Sequence, residues 1–197
     1  MKCPICGQEG LRRHYQAGKP VDRTIGECHY VARGGEWQWC SACRHYEHMQ
    51  AWVPDWWTCK LEFDESILTA VPNVLDMLYQ NPQKVNKWKR ISQEDLERWN
   101  LVFSELSSRI QVEGKCPICN EQQLYHYYAL QRNEPVKFKK RWYKGQGAYW
   151  QWCSACYHYQ YRHWVYVPME WEESMVIEAE ELMVIPESLN EAVKSIM

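Results

Sequence analysis

Eight of the ten cysteines in this 197-residue chain stand in four Cys-x2-Cys pairs. A Cys-x2-Cys turn brings two thiolates to one ion, and a second pair from elsewhere in the chain completes a tetrahedron around it. Four thiolates close the coordination shell and leave no position for water or substrate, so we expect two structural Zn²⁺ sites. The predicted ligands are Cys3, Cys6, Cys40 and Cys43 at one site, and Cys116, Cys119, Cys153 and Cys156 at the other.

Disulfide pairing is the alternative use of the same cysteines. Cys3 stands almost at Met1, and no apolar run of signal-peptide length follows it, so we expect no secretory segment and a cytoplasmic location. In a reducing compartment, paired cysteines hold a metal more often than they form a disulfide. No stretch approaches the roughly 18 apolar residues needed to cross a bilayer, which predicts a protein outside the membrane.

The two sets of predicted ligands belong to an internal repeat. Residues 2–46 align with residues 115–159 at a constant offset of 113, without a gap. The segment Trp-Gln-Trp-Cys-Ser-Ala-Cys occurs in both copies, at 37–43 and again at 150–156. After one inserted residue the match continues at an offset of 114. We interpret this pattern as a duplicated unit that includes a ribbon and the segment after it.

The two unpaired cysteines and a recurring histidine also need an interpretation. Cys28 and Cys59 align with residues other than cysteine, so the repeat gives no support for them as ligands. His45 recurs as His158, two positions after the last ligand of each copy. It is either a fifth ligand or base, or a hydrogen-bond partner of a ligand, and the complete tetrahedron favours the second interpretation.

At Cys-Pro-Ile-Cys and Cys-Ser-Ala-Cys the chain resembles the zinc-ribbon and rubredoxin-like superfamily of small four-cysteine modules. The resemblance covers about two-thirds of the chain, and it implies a metal and a fold but almost nothing about function. In rubredoxins a glycine usually follows each cysteine pair. Gly7 fits that pattern, whereas Arg44, Asn120 and Tyr157 do not, which favours zinc over a redox-active iron.

The elements that must position the ligands can be predicted from periodicity. Alternating apolar and polar residues before the second cysteine pair predict a strand, and the aromatic and β-branched run 157–167 predicts another. Pro72 and Pro186 occupy first-turn positions of the helices that follow, and Asn81-Pro82 ends the first of them. The predicted fold class is α+β: two duplicated zinc-ribbon-like antiparallel β modules, each followed by helical segments and joined by a connecting helix.

Residues 79–114 have no counterpart in the repeat. Ser92 and Asp95 predict a capped helix start, and a single apolar helical face then extends over about 92–110. We expect this helix to bury its apolar face against both modules as a connecting strut. The predicted domains are 1–78 (first zinc-ribbon module with its trailing helix), 79–114 (connecting segment) and 115–197 (second zinc-ribbon module with its trailing helix), and the face comprises Leu96, Trp99, Phe103, Leu106 and Ile110.

Composition bounds the kind of partner. The formal net charge is −2 and the pI is about 6.4, whereas a dedicated nucleic-acid binder usually has a strong basic excess. Twelve Trp and thirteen Tyr accompany only three Phe. Because a small metal module cannot bury a large aliphatic core, aromatic side chains are expected to fill it, with several left at a surface where they favour protein interfaces.

The sharpest charge feature is the basic and aromatic run 137–144. Such a run suits phosphate contacts combined with base stacking, although a solvated strand face is the alternative interpretation. The acidic clusters near Glu170 and Glu178 would repel phosphate and attract a basic partner protein. The candidate partner-binding residues are Trp142, Tyr143, Lys139, Lys140, Arg141, Glu170, Glu172 and Glu173.

The sequence contains no P-loop, nucleophile elbow or His-Glu-x-x-His motif, so no enzymatic activity is expected. The leading hypothesis is a non-enzymatic cytosolic protein whose zinc-stabilised surface binds another protein. Its compact, slightly acidic profile resembles that of bacterial immunity proteins, which would imply a toxin as the partner. The alternatives are a nucleic-acid-binding regulator that uses 137–144 and a rubredoxin-like iron electron carrier.

Overall fold

The computed structural model describes residues 1–104, 109–172, 175 and 177–196. The chain divides into two compact units, Met1–Gln83 and Lys84–Met197, and each contains one set of four cysteines. Both units combine antiparallel strands with short helices, which confirms the predicted α+β class. Among the described residues, no helix has the length and apolar character that a membrane crossing requires.

The first unit contains β1 (Leu11–Ile25), β2 (Cys28–Cys40), β3 (Tyr46–Pro54), a 3-10 turn (Glu65–Ile67) and α1 (Asn73–Gln80). The strands form an antiparallel sheet in the order β1-β2-β3. Tryptophans alternate with polar residues along β2, so Trp37 and Trp39 enter the core from one face of the sheet. Leu75 of α1 completes the same apolar cluster.

Proline and asparagine set the limits of α1. Pro72 directly precedes the helix, and its last residue, Gln80, stands before Asn81-Pro82, as the sequence predicts. The proline cannot supply the main-chain N–H group that the helix would need to continue. A second short helix, α2 (Pro82–Asn86), follows at once.

The second unit contains β4 (Lys89–Arg90), α3 (Leu96–Val102), β5 (Leu124–Arg132), β6 (Val136–Phe138), β7 (Arg141–Cys153), β8 (His158–Pro168), a 3-10 turn (Ala179–Glu181) and α4 (Glu187–Ile196). Its sheet has the order β4-β8-β7-β5, and β6 also pairs with β7. The pairs of β7 with β5, β6 and β8 are antiparallel, whereas β4 runs parallel to β8.

The first two strands of the ribbon have the same register in both units. Leu11 pairs with Cys40 in the first unit, and Leu124 pairs with Cys153 in the second, at positions 113 residues apart. A slip of one residue would turn every side chain of a strand to the other face of the sheet. The shared register therefore keeps both tryptophans of the Trp-Gln-Trp segment on the core side of the sheet in each unit.

Both tryptophans of that segment attach the trailing helical region to the sheet. Each indole N–H donates to an acceptor in the segment that contains α1 or α4, and the acceptors lie 114 residues apart in the two units. Buried indole groups need such partners, since an unpaired N–H costs about 1–3 kcal/mol. The bonds are Trp37 to Thr69 O (2.9 Å), Trp39 to Asp76 Oδ1 (2.8 Å), Trp150 to Met183 O (2.8 Å) and Trp152 to Asn190 Oδ1 (3.2 Å).

The predicted helix over 92–110 is wrong in length. Its predicted cap is present, because the main-chain N–H of Asp95 donates to Ser92 Oγ at 3.2 Å, but α3 ends at Val102 and a turn follows. Residues 105–108, which include the predicted position Leu106, lie outside the described residues. Ile110 is not helical, since its carbonyl accepts a hydrogen bond from the main-chain N–H of His126 at 2.8 Å. Pairing with the start of β5 replaces the helical hydrogen bonds there.

The described contacts of this segment lie within the second unit, and its predicted role as a strut between modules stays a prediction. Trp99 of α3 is fully buried and packs with Phe103, Leu124 and two of the second-unit cysteines. Its indole N–H donates to Gln151 Oε1 at 3.1 Å. The segment is therefore a part of the second unit, where α3 covers the face of the sheet opposite to Trp150 and Trp152.

Candidate metal centres and the surface around them

Two turns of the chain form each cysteine cluster. In the first unit, Cys3 and Cys6 lie in a turn before β1, Cys40 ends β2, and Cys43 lies in the turn before β3. The second unit repeats this arrangement around β5, β7 and β8. Because antiparallel pairing brings the start of β1 next to the end of β2, the two turns face each other. The structure thus brings together all eight predicted ligands, four in each cluster.

The sulfur positions fit a tetrahedral metal ion. Within each cluster all four sulfur atoms lie within 4.8 Å of one another. Sulfurs bound at about 2.3 Å to one Zn²⁺ stand about 3.8 Å apart along each tetrahedral edge, and a disulfide would need about 2.05 Å. The cysteines are free thiols, with Cys3–Cys43 at 3.8 Å, Cys6–Cys40 at 3.8 Å, Cys116–Cys156 at 3.8 Å and Cys119–Cys153 at 3.7 Å.

The turns have the same backbone conformation whether or not a glycine is present. The residue after each cysteine pair has a positive φ: 71° at Gly7, 60° at Arg44, 66° at Asn120 and 58° at Tyr157. Non-glycine residues rarely adopt this conformation, so the shared geometry of the turns fixes it. The missing glycines therefore do not distinguish zinc from iron, contrary to the inference from the sequence.

The thiols of a cluster cannot all ionise without a cation. Main-chain N–H groups of Cys6 and Ile5 donate to the Cys3 sulfur and lower the pKa of that thiol to about 6. Burial raises the pKa of Cys153 to about 11, and burial also raises the pKa of Cys156. Four thiolates in so small a volume repel one another, and a bound divalent ion removes that penalty. Each cluster can therefore hold one metal ion.

The recurring histidines contribute to the sites through the main chain. The N–H of His45 donates to the sulfur of Cys43, and the N–H of His158 donates to the sulfur of Cys156. The imidazole of His45 is exposed, and Nδ1 of His158 is buried with no hydrogen-bond partner among the described atoms. The predicted support of the ligands exists, but the imidazole rings do not provide it.

Five of the candidate partner-binding residues, Lys139 to Tyr143, lie in the β6–β7 hairpin. Lys139 and Lys140 form its two-residue turn, with φ of 44° and 69°, and Phe138 pairs with Arg141 across it. Positive φ at both central residues is the conformation of a type I′ turn, whose twist suits a hairpin. The two lysines are thus presented at the tip of a projecting loop.

Aromatic rings cover the sides of this hairpin. Phe138 stacks on Tyr166 with ring centroids 4.8 Å apart, and Tyr143 lies 5.2 Å from the same tyrosine. Trp142 is 54% exposed, and Nζ of Lys137 lies 5.8 Å from its ring centroid. We call the set of Phe138, Lys139, Lys140, Trp142, Tyr143 and Tyr166 the hairpin surface.

Part of the basic run is neutralised. Arg141 binds both carboxylate oxygens of Glu170 at 3.0 Å, and the main-chain N–H of Glu170 together with this guanidinium lowers the pKa of the carboxyl. Lys144 donates to the carbonyl of Trp171. Glu172 is exposed nearby in sequence, and Glu173 lies outside the described residues. The surface consequently carries both signs of charge.

One exposed residue escaped sequence reasoning. Gly147 pairs with Val165 and Ala148 pairs with His163, so Trp164 is an extra residue that forms a β-bulge in β8. Its φ is 58° and its side chain is 54% exposed. Bulges often direct a side chain outward at functional sites, and a bulky residue at positive φ is rare. The change of the repeat offset from 113 to 114 was the signal for it.

Comparison of the chain with protein-family models, with curated proteins and with solved structures finds no match. The functional interpretation therefore depends on the geometry of this chain. That geometry comprises two closed four-cysteine clusters and an exposed aromatic surface of mixed charge on the second unit.

Proposed function

We propose that this protein is not an enzyme, that Zn²⁺ occupies both cysteine clusters, and that the hairpin surface of the second unit binds another protein. The observation that carries the proposal is the exposure of Trp142 and Phe138, 54% and 40%, on a rigid hairpin. Tryptophan and tyrosine are among the residues that dominate the binding energy of protein interfaces, because they bury a large area at little cost in side-chain entropy.

The closed metal shells support a structural role for the ions. Four thiolates at tetrahedral spacing leave no coordination position for a substrate, so the ions hold the two turns of each ribbon together. Mass spectrometry should find two zinc ions per chain, and the protein should be colourless. A red protein with stoichiometric iron would contradict this assignment and would support the electron-carrier alternative.

Mixed charge favours a protein partner over a nucleic acid. Glu170 is paired with Arg141, the residue directly after the two lysines of the tip, and carboxylates repel phosphate. An interface with both signs of charge at its rim selects a complementary protein surface. The nucleic-acid alternative predicts instead an affinity that falls steeply with salt concentration.

The binding proposal is tested with a variant that gives this hairpin the residues of the equivalent hairpin in the first unit. In the first unit Gly26, Glu27 and His29 occupy the positions of Lys139, Lys140 and Trp142. We expect the triple variant Lys139→Gly, Lys140→Glu, Trp142→His to bind a partner purified from a nuclease-treated native lysate at least 30-fold more weakly in calorimetry, because a central tryptophan contributes about 2 kcal/mol or more.

The matched control is Trp56→His in the first unit, where Trp56 is 62% exposed. It should leave the affinity unchanged. Equal affinity of the wild type and the triple variant would contradict the proposal, as would retention of nucleic acid alone in a salt-dependent manner.

We further propose that binding acts by steric occlusion of the partner, in the manner of a bacterial immunity protein that covers the active surface of a toxin. An enzymatic partner should then lose its activity with one equivalent of this protein and keep it with the triple variant. A partner that retains full activity in the complex would exclude occlusion.

A further inference from the structure

A groove on the first unit has no role in the proposed function. It lies between the sheet and the loop 68–70, and its volume is about 650 Å³. Arg33 and Trp37 both line it, four positions apart on β2, which corresponds to about 13 Å of extended chain. Its length is therefore that of about four residues of an extended peptide.

Small residues keep the groove open. Gly35, Thr69 and Ala70 line it, whereas the equivalent residues of the second unit are Ala148, Met183 and Val184, all buried. His48 also lines the groove, and a larger Tyr161 stands at its position in the second unit. At these four positions the first unit carries the smaller side chain.

The glycines of the groove are required by the backbone around them. A Cβ atom at Gly34 would stand 1.9 Å from the carbonyl oxygen of Gln16, and one at Gly18 would stand 2.7 Å from that of Arg33. The strands are in close contact here because the register of β1 against β2 shifts between Gln16 and Lys19. Glycine at these two positions therefore lets the main chains of β1 and β2 lie in close contact beside the groove.

Two cations stand at one end of the groove without an acidic partner. Lys19 and Arg33 are direct cross-strand neighbours on β1 and β2, and like charges in that position are destabilising. In the described part of the chain neither side chain forms an ion pair. The guanidinium carbon of Arg33 lies 5.8 Å from the centroid of the Trp52 ring. An anionic group bound between them would relieve the repulsion and form charge-assisted hydrogen bonds.

The other end of the groove is apolar and aromatic. Trp37, which is 3% exposed, lies under the imidazole of His48, with ring centroids 4.4 Å apart and planes at 21°. Leu68 and Ala70 complete this end, and the amides of Gln16 and Gln50 lie along the groove. Because His48 covers the face of Trp37, no open indole face is left on which a nucleobase could stack.

We infer that this groove binds an extended peptide segment with an acidic side chain and, four positions away on the same side of the peptide, an apolar side chain. The carboxylate lies between Lys19 and Arg33, and the apolar group contacts Leu68 and Ala70. The amide of Gln50 binds the peptide main chain, whereas Nε2 of Gln16 donates to Glu65 Oε2 at 3.1 Å. The site lies on the first unit and is separate from the hairpin surface of the second.

The test is a titration of the full-length zinc-loaded protein, labelled with ¹⁵N, with acetyl-Leu-Ala-Ala-Ala-Glu-amide, in which the Leu and Glu side chains lie on the same side of the extended peptide. We expect the amide signals of Gly34 and Gly35 and the indole signal of Trp37 to shift. The matching peptide with Gln in place of Glu should bind at least tenfold more weakly, as should the Arg33→Gln variant titrated with the Glu peptide. A variant that fills the groove with second-unit residues, Thr69→Met with Ala70→Val, should lose the interaction.

The control is the variant Lys139→Gln, which removes one positive charge from the hairpin surface, as Arg33→Gln does from the groove, and should bind the peptide like the wild type. Equal affinity for the two peptides, or unchanged affinity in the groove variants, would overturn the inference. Tighter binding of adenosine monophosphate than of the Glu peptide would assign the groove to nucleotides instead. None of these results depends on whether the hairpin surface binds a protein.

Discussion

The two units share a cysteine cluster, a sheet register and a pair of indole anchors, but the opposite faces of their sheets differ. In the first unit, Arg13 forms an ion pair with Glu36 at 3.0 Å on that face, and Gln38 donates to the same carboxylate at 2.7 Å. The Arg13 side chain is 46% exposed. This part of the face is therefore polar: the Glu36 carboxylate is largely buried, at 7% exposure, and its partner Arg13 is in contact with solvent.

In the second unit the same positions carry His126, Tyr149 and Gln151, all buried. Gln151 accepts the indole N–H of Trp99 from α3, so a segment without counterpart in the repeat covers this face. The replacement of an ion pair by aromatic groups accompanies the change from a partly solvated to a covered face, because buried charges need much more compensation than buried rings. The same arrangement of strands can thus leave this face polar or cover it with a helix.

The largest expected effect is the loss of a metal ion, which should unfold only the unit that held it. Replacement of Cys40 by serine should release one metal and unfold the first unit, and replacement of Cys153 should do the same in the second, because metal binding of about 10 kcal/mol or more contributes directly to folding. Metal content and amide spectra of the two units measure both effects. Retention of two metals in either variant would show that four thiolates are not required.

The covering helix should matter in the second unit alone. Trp99→Ala removes a fully buried side chain and leaves Gln151 without its donor, so we expect a loss of about 3–5 kcal/mol of unfolding free energy for the second unit. Denaturant unfolding followed by resolved amide signals separates the units. The exposed Trp56 provides the control, since Trp56→Ala should cost less than about 0.5 kcal/mol; a similar loss in both variants would contradict the role of α3.

Acid should weaken the first unit through His14. This imidazole is 1% exposed, neither of its nitrogen atoms has a hydrogen-bond partner among the described residues, and burial lowers its pKa to about 4. The unfolded chain, with a histidine pKa near 6.5, binds more protons between these values. Stability is therefore complete above pH 6.5 and falls as the pH drops towards 4, by about 2 kcal/mol at pH 5.

His14→Phe keeps a ring in the same space and should remove this part of the pH dependence. The comparison with wild type, by unfolding at pH 7.5 and pH 5, cancels the effect of protons on the metal ligands. Burial also lowers the pKa of His126 in the second unit, but that imidazole has hydrogen bonds to Arg109 O and Tyr149 OH. An unchanged pH dependence in His14→Phe would show that His14 is not the responsible group.

The smallest expected effect concerns the residue that accepts the indole N–H of the second tryptophan, Asp76 in the first unit and Asn190 in the second. Asp76 accepts from Trp39 and Ser41 and lies 3.9 Å from Arg12, whereas Asn190 takes its place in the second unit. Asp76→Asn keeps the acceptor and loses only the charge, so we expect a cost of about 0.5–1 kcal/mol. Asp76→Ala should cost about 1–3 kcal/mol, because the indole loses its partner. Thermal unfolding compares the two, and equal costs would mean that charge rather than the hydrogen bond matters.

Several long-range features were absent from the sequence patterns. The apolar spacing of Leu96, Trp99 and Phe103 predicts a helix, and α3 is present there. The same spacing extended to Ile110 was misleading, because an apolar residue can also reach the core from an irregular segment. Only main-chain pairing next to β5 shows where the helical pattern ends. The groove of the first unit was also invisible, since it results from the absence of side-chain volume at residues from four separate segments.

The sequence by itself determined the two sets of four cysteines that could each hold a metal ion, the antiparallel strands beside them and the limits of α1, because metal spacing, strand alternation and proline are local signals that need no knowledge of the partner segment. Only the tertiary structure decided which unit the segment before Cys116 joins, which cations have acidic partners and which tryptophans stay exposed. Those properties depend on distances between segments remote in sequence. The cysteines fix the two turns of each ribbon, and the packing around them makes the two units different.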